Sequence, residues 1–297
     1  GMVLATTQNE FSAPTTLRTE LAAAGAVLRA ARPTAVNLSY AIDRVLNAAT
    51  PALKTVNALR EAVLLEAQAI DAHEREANFQ IGQNALPLVP EKATFIHHCN
   101  TGPLATGYYG TALGVIIAAH QAGKEVFVYV DETRPRLQGA RLTTWELQQL
   151  DVPHTLIVDG AAAHIMRTRG VDLCVVGCDR VAANGDTANK IGTYGLALAA
   201  HAHGIPFYVV GPTTTIDMTL ANGDEIEIEE RAASEVTHML GQPVAPTGTA
   251  ATNIAFDVTP AQYITAIITE RGVAYPPFEE SLANKFAATV AKSPYRD

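Results

Sequence analysis

Between Asp179 and Lys190 the stretch GCDRVAANGDTANKIGTYG (Gly177 to Gly195) gathers two aspartates, an arginine, two asparagines and a lysine. A carboxylate can move protons, and an ammonium beside backbone amides can hold an anion. Asp179 directly follows an apolar run, so its carboxylate is expected partly desolvated among hydrogen-bonding groups, surroundings that tune an acid for proton transfer near neutral pH. Asn189 and Lys190 are expected to open the next helix, where amides and ammonium together suit a phosphate. The competing reading of the whole stretch is an elaborate, internally hydrogen-bonded turn.

Cys99 is the second candidate, followed by Asn100, Thr101 and Gly102 ahead of a helix. A thiol near a helix N-terminus can have its thiolate stabilised by exposed amides; a buried small hydrophobe is the plainer reading. His97 and His98 point to opposite faces of a strand, so at most one shares a face with Cys99. Asp131 and Asp159 end strands and read equally as turn or cap residues. Arg134, Arg136 and Arg141 suit an anion or simply a solvated loop. Cys174 and Cys178 lack the second pair or histidine cluster that a zinc site needs, so no metal is expected.

Two kinds of segment must position these groups. From Leu17 to about His73, alanine- and leucine-rich stretches with helical spacing, punctuated by Pro33 and Pro51, predict three helices with Thr34 or Thr50 as caps. From Thr94 the rhythm changes. The runs ATFIHHC, EVFVYVD, HTLIVD, LCVVGCD and PFYVVGP alternate with helical segments, which predicts a mainly parallel sheet covered on both faces. The expected fold is α/β: a helical N-terminal domain over 1–90, then a Rossmann-like domain over 91–297. The acidic run DEIEIEE (Asp224 to Glu230) alternates like a strand, and FDVTPAQYITAIITERG reads as a Pro-started helix ending at Gly272. All the candidate residues follow strand ends, so they gather on one edge of the sheet, where open α/β folds bind ligands.

Composition narrows the class. The chain has 297 residues, a formal net charge of −9 and no basic stripe, which weighs against a nucleic-acid partner. No apolar stretch reaches the length of a membrane helix. Three cysteines without a disulfide pattern favour a reducing cytoplasm. No Gly-x-Gly-x-x-Gly follows the first strand, so a dinucleotide cofactor is not indicated.

The segments HHCNTGPLATGYYGTALG, VYVDETRPRLQGARLTTWEL, GCDRVAANGDTANKIGTY and FDVTPAQYITAIITERG together resemble the 5-methylthioribose-1-phosphate isomerases of methionine salvage, from RPTAVNLSYAIDRV at Arg32 almost to the C-terminus. The wider family includes ribose-1,5-bisphosphate isomerases and regulatory subunits of the translation-initiation exchange factor. The resemblance implies an aldose-to-ketose isomerase of a sugar phosphate, working without metal or nucleotide cofactor, as a homodimer. It places the catalytic cysteine on Cys99 and the catalytic aspartate on Asp179. It puts substrate contacts on Arg32, Gln138, Asn189 and Lys190. It also implies an arginine-bearing segment upstream of RPTAVNL that this sequence lacks, so the chain reads as N-terminally truncated. Cys178 stands where the family more often has alanine. A non-catalytic assembly subunit of the same fold and an isomerase of another ribose phosphate are the alternatives.

Overall fold

The computed structural model describes residues 1–7, 10–31 and 36–290. Two compact units divide the chain, Gly1–Glu76 and Ala77–Asp297. The first is helical: α1 (Met2–Thr7), α2 (Pro14–Ala31), α3 (Val36–Ala48) and the start of α4 (Val56–Ala85). Its core is a seam of Leu17, Leu21, Val45, Leu59 and Val63, all buried at helical spacing. Thr55, rather than Thr50, caps α4, its Oγ1 accepting the Ala58 amide at 3.1 Å. Thr34 and the candidate Arg32 lie outside the described residues.

The second unit holds the sheet. In chain order it comprises β1 (Lys92–His98), α5 (Pro103–Thr106), α6 (Ala112–Gln121), β2 (Glu125–Asp131), α7 (Thr144–Gln149), β3 (His154–Ile157), α8 (Ala162–Arg169) and β4 (Leu173–Val176). Next come β5 (Arg180–Ala182), β6 (Thr187–Lys190), α9 (Thr193–Ala202), β7 (Phe207–Val210), β8 (Ile216–Asp217), α10 (Ser234–Thr237), β9 (His238–Met239) and β10 (Gln242–Pro243). The chain continues through β11 (Phe256–Thr259), β12 (Ala266–Thr269), β13 (Gly272–Ala274) and α11 (Phe278–Val290).

Seven strands form the main sheet in the order β13-β12-β7-β4-β1-β2-β3, parallel except for β13. Successive residues face opposite layers. Phe95, Leu173 and Val175 pack with α6, whereas Ile96, Cys174 and Val176 pack with Ala162, Met166, Leu196 and Ala197 of α8 and α9. Burial of each such aliphatic or aromatic side chain stabilises the fold by roughly 1.5–3 kcal/mol. Apolar residues on both faces explain why these strands read as continuous hydrophobic runs.

Three expected elements differ. The segment after Phe256 is two strands, β11 and β12, joined by a short 3-10 turn, because the β-branched ITAIIT run is buried between β7 and β13. The acidic run makes a single bridge, Glu230 to Ile254, although its alternation does bury Ile226. Asn189 and Lys190 end strand β6 and do not open a helix. The stretch from Asp179 is a hairpin, β5 and β6, in a second sheet of order β11-β6-β5-β8.

Candidate active site

Strand order locates a crevice. The chain leaves β1 through α6 to β2 on one side, and later returns through α8 to β4 on the other. Connections diverging from neighbouring parallel strands leave an opening at their carboxyl ends. His98 pairs with Val176, so the next residues, Cys99 from β1 and Gly177 from β4, flank that opening.

Cys99 leaves the strand in the left-handed region, with φ 70°. Its N–H donates to Thr133 Oγ1 at 2.9 Å, and its carbonyl accepts from Thr143 Oγ1 at 2.7 Å. Thr133 and Leu137 are left-handed too, at φ 63° and 60°. Each such backbone costs about 1–3 kcal/mol and persists only where surrounding contacts over-determine it. At Thr133 Asp159 supplies them, accepting the amides of Thr133 at 2.7 Å and Arg134 at 2.8 Å.

The helix amides expected to face the thiol are occupied. Glu146 Oε1 accepts the Leu104 amide at 2.7 Å, and Thr101 Oγ1 accepts that of Leu113 at 2.8 Å. Glu146 is buried and also accepts from Asn100 Nδ2 at 2.5 Å; burial raises its carboxyl above the ordinary range despite those two donors. Gly102 gives Glu146 its room: a Cβ there would lie 2.4 Å from Glu146 Oε2 and displace the carboxylate. The geometry therefore fixes Cys99 by its backbone.

The two histidines divide as expected. His97 Nδ1 donates to the Val175 carbonyl at 2.9 Å, and burial pushes its pKa down to about 4, so the ring is neutral. His98 spans the opposite layer. Its Nε2 donates to the Ile191 carbonyl at 2.9 Å and its Nδ1 lies 2.9 Å from Asp131 Oδ2. Burial opposes charge on this ring, but the Asp131 carboxylate, with Asp159 behind it, outweighs that and raises its pKa. Asp131 is thus neither a cap nor a turn residue. His98, Asp131 and Asp159 put one possible metal-ligand atom each within 4.8 Å of one another; His98 Nδ1 faces Asp131 Oδ2 and Asp159 holds the Thr133 and Arg134 amides, while Asp131 Oδ1 is buried without a described partner.

Asp179 enters from the hairpin, half-buried, its amide bonded to the Ala188 carbonyl at 2.9 Å. Asn184 and Asp186 are turn residues: Asp186 accepts from the amides of Gly223 and Ala261 and from Asn184 Nδ2. Asn189 is buried and donates to Thr193 Oγ1 at 3.0 Å. Its Oδ1 lies beside Gly177, which also packs on Thr101, so the Cys99 loop and the hairpin meet there. The head of α9 is not an anion slot, because Asp257 already accepts the amides of Gly192 at 2.8 Å and Tyr194 at 3.2 Å.

Lys190 Nζ donates to the Ala255 carbonyl at 2.9 Å and sits 3.8 Å from the centre of the Phe256 ring. It lines one cavity with Gln138, Arg136, Arg231, Glu235 and Asn253. Gln138 is held there by Gly139, whose Cβ, if present, would meet the Asp131 carbonyl oxygen at 1.7 Å; its Oε1 is buried without a partner in the described structure. The structure therefore gathers Cys99, Gln138, Asp179, Asn189 and Lys190 on the carboxyl edge of the sheet. Cys178 turns to Thr215 Oγ1 at 3.2 Å, and burial pushes its thiol up to about 12. Sequence reasoning missed Arg231, Glu235, Asn253 and the His98–Asp131 pair. A motif-sized window has no signal for contacts made across such separations.

Known proteins resemble this chain in both sequence and fold. The sequence profile of the Initiation factor 2 subunit family matches residues 1–276. Methylthioribose-1-phosphate isomerase of Synechococcus sp. is 56% identical over 283 residues, 95% of this chain and 81% of that protein. That of Desulforamulus reducens is 52% identical over 284 residues, 95% of this chain and 82% of its own. Among solved structures, 5-methylthioribose 1-phosphate isomerase from Pyrococcus horikoshii OT3 superposes with TM-score 0.88 at 40% identity, covering 97% of this chain and 81% of that one. The translation initiation factor eIF-2B subunit delta from A. fulgidus gives 0.84 at 39%, covering 96% and 83%.

Proposed function

The chain belongs to the Initiation factor 2 subunit family, and from that premise we propose that it is an aldose-ketose isomerase converting 5-methylthioribose 1-phosphate to 5-methylthioribulose 1-phosphate. The relatives that are more than half identical carry that activity in their names. The observation that carries the reading is the crevice between β1 and β4, which receives the Cys99 loop from one side and the Asp179 hairpin from the other.

The chemistry explains the residue types. The anomeric oxygen of the substrate is esterified to phosphate, so the ring cannot open to a free aldehyde in the usual way. Opening needs a proton at the ring oxygen, and hydrogen must then move from C2 to C1. In our reading Asp179 and Cys99, a carboxyl and a thiol of different intrinsic acidity, share these transfers, each worth about a hundredfold to ten-thousandfold when well placed. Gln138 and Asn189 orient the sugar, and Lys190 holds the phosphate. For Arg32, which lies outside the described residues, a substrate contact is implied by resemblance alone. We take the working assembly to be a cytoplasmic homodimer, which sedimentation at micromolar concentration checks. No described helix is long and apolar enough to cross a membrane.

The test is direct. The purified chain is incubated with 5-methylthioribose 1-phosphate and ketose formation is followed by carbon NMR. Turnover is expected. Its absence would favour the alternative, a non-catalytic subunit, for which the likeness to the delta subunit of A. fulgidus speaks.

A further inference from the structure

We propose that Arg231 is a phosphate-binding residue of this site, acting with Lys190 on the anionic end of the substrate; the substrate's identity, though not the anion site itself, rests on the isomerase reading. Asp257 fills the head of α9, so the amides of Gly192 and Tyr194 are spent and a phosphate must find its donors elsewhere.

The cavity beside β6 offers them. Arg136, Lys190 and Arg231 bring three cations to its wall, with Glu235 as the carboxylate among its lining residues. Backbone bonds fix Arg231 there. Residues 229–231 run antiparallel to 253–255: the Arg231 amide donates to the Asn253 carbonyl at 2.8 Å and the Ala255 amide to that of Glu229 at 3.0 Å. The 253–255 segment leads into β11, where Phe256 pairs with Lys190. Both cations therefore rest on one aromatic ring, Lys190 Nζ at 3.8 Å and Arg231 Cζ at 5.4 Å from its centre.

Two charges so placed are no more than about 9 Å apart and repel by roughly 2 kcal/mol at an effective dielectric constant near 20. The Glu229 carboxylate offsets part of that cost, and an anion between the two cations offsets more. Glu229 aims one of them: its carboxylate takes Arg231 Nε at 2.7 Å and Nη2 at 3.1 Å, side-on. That grip leaves the Nη1 edge outside every described hydrogen bond, and the Arg231 side chain as a whole is 14% exposed. A half-buried, pre-aimed guanidinium edge suits a phosphate better than a mobile ammonium does. Gln138 lies at the same wall, where its amide Nε2–H can donate to an anion. Asp179 lies within electrostatic range of Arg231, so an anchored phosphate would present the reacting carbons beside that carboxyl.

Inorganic phosphate is the probe. Titration calorimetry on the full chain should show binding that Arg231→Met weakens at least tenfold and Arg231→Lys weakens less. The Met variant should raise KM for 5-methylthioribose 1-phosphate tenfold or more, with kcat within about threefold. If removing Arg231 leaves Glu229 uncompensated and the protein unfolds, the double variant Arg231→Met with Glu229→Met removes both charges and is expected to lose phosphate in the same way. Unchanged phosphate affinity in a folded variant overturns the proposal, whatever happens to kcat. So does a wild-type chain that binds no phosphate at millimolar concentration. A chain that binds phosphate through Arg231 yet never isomerises the sugar would leave this site standing and remove the isomerase reading.

Discussion

The two walls of the crevice are built on different physical terms. On the β1 and β2 side, Cys99, Thr133 and Leu137 adopt left-handed backbones, held by hydroxyls and carboxylates that bond to main-chain groups. On the β6 and β11 side, regular antiparallel pairing sets the backbone, and charge pairs such as Arg231–Glu229 and Arg136–Glu235 aim the side chains. The first wall fixes the backbone of the thiol-bearing residue, at the cost of strain. The second arranges a field. Rigid placement suits a group that must meet a reacting carbon, whereas a field tolerates small displacement of a phosphate.

The largest effect expected on this contrast comes from Gly139→Ala. The new Cβ would sit 1.7 Å from the Asp131 carbonyl oxygen, so the Gln138 turn must move off β2. A loss of about 3 kcal/mol or more is expected, at the upper end for overpacking, with a large fall in turnover. Urea unfolding measures the first, and a loss under 1 kcal/mol would show that the strained wall is softer than its contacts imply.

Next in size is the acid response of His97, which ties β1 to β4 beneath the crevice. Its pKa is about 4 folded, below the ordinary histidine value of 6.5, because burial excludes the proton. The unfolded chain binds that proton more readily, so the stability His97 contributes is complete above pH 6.5 and is lost as pH falls toward 4. The total is on the order of 3 kcal/mol at most. His98, raised by Asp131, acts in the opposite sense: its contribution is complete below pH 6.5 and is lost as pH rises through its folded value. Unfolding curves between pH 4 and 7 should be flatter for His97→Gln than for the wild type; parallel curves would contradict the assignment.

The smallest effect belongs to the second wall. Arg136 is half-exposed where it pairs with Glu235, so Arg136→Gln should cost under about 1 kcal/mol, fading in 0.5 M salt. A cost of several kcal/mol in a thermal scan would mean that this wall, too, depends on fixed geometry.

The sequence carried the main sheet because its strands are apolar on both faces, and Phe95, Ile96, Cys174 and Val175 needed no partner to be recognised. It could not show that Asn189 and Lys190 lie in a strand. Their partners, Asp257 and Phe256, are far along the chain, and local spacing resembled a helix start. Cys99 and Asp179 stood out as chemistry-bearing residues at strand ends, and topology then explains why those two ends adjoin. Arg231 was hidden behind an acidic run that reads as solvated surface. Only the pairing of 229–231 with 253–255 turns its side chain toward Lys190.

The central claim is that the Asp179 carboxyl moves a proton in the crevice that Cys99 shares. Steady-state kinetics of Asp179→Asn with 5-methylthioribose 1-phosphate tests it most directly, because the amide keeps the shape and removes the proton-transfer group. The expected result is a fall in kcat of roughly a hundredfold or more while KM stays within a few-fold, with Cys99→Ser following the same pattern. An Asp179→Asn variant that turns over at the wild-type rate would contradict it.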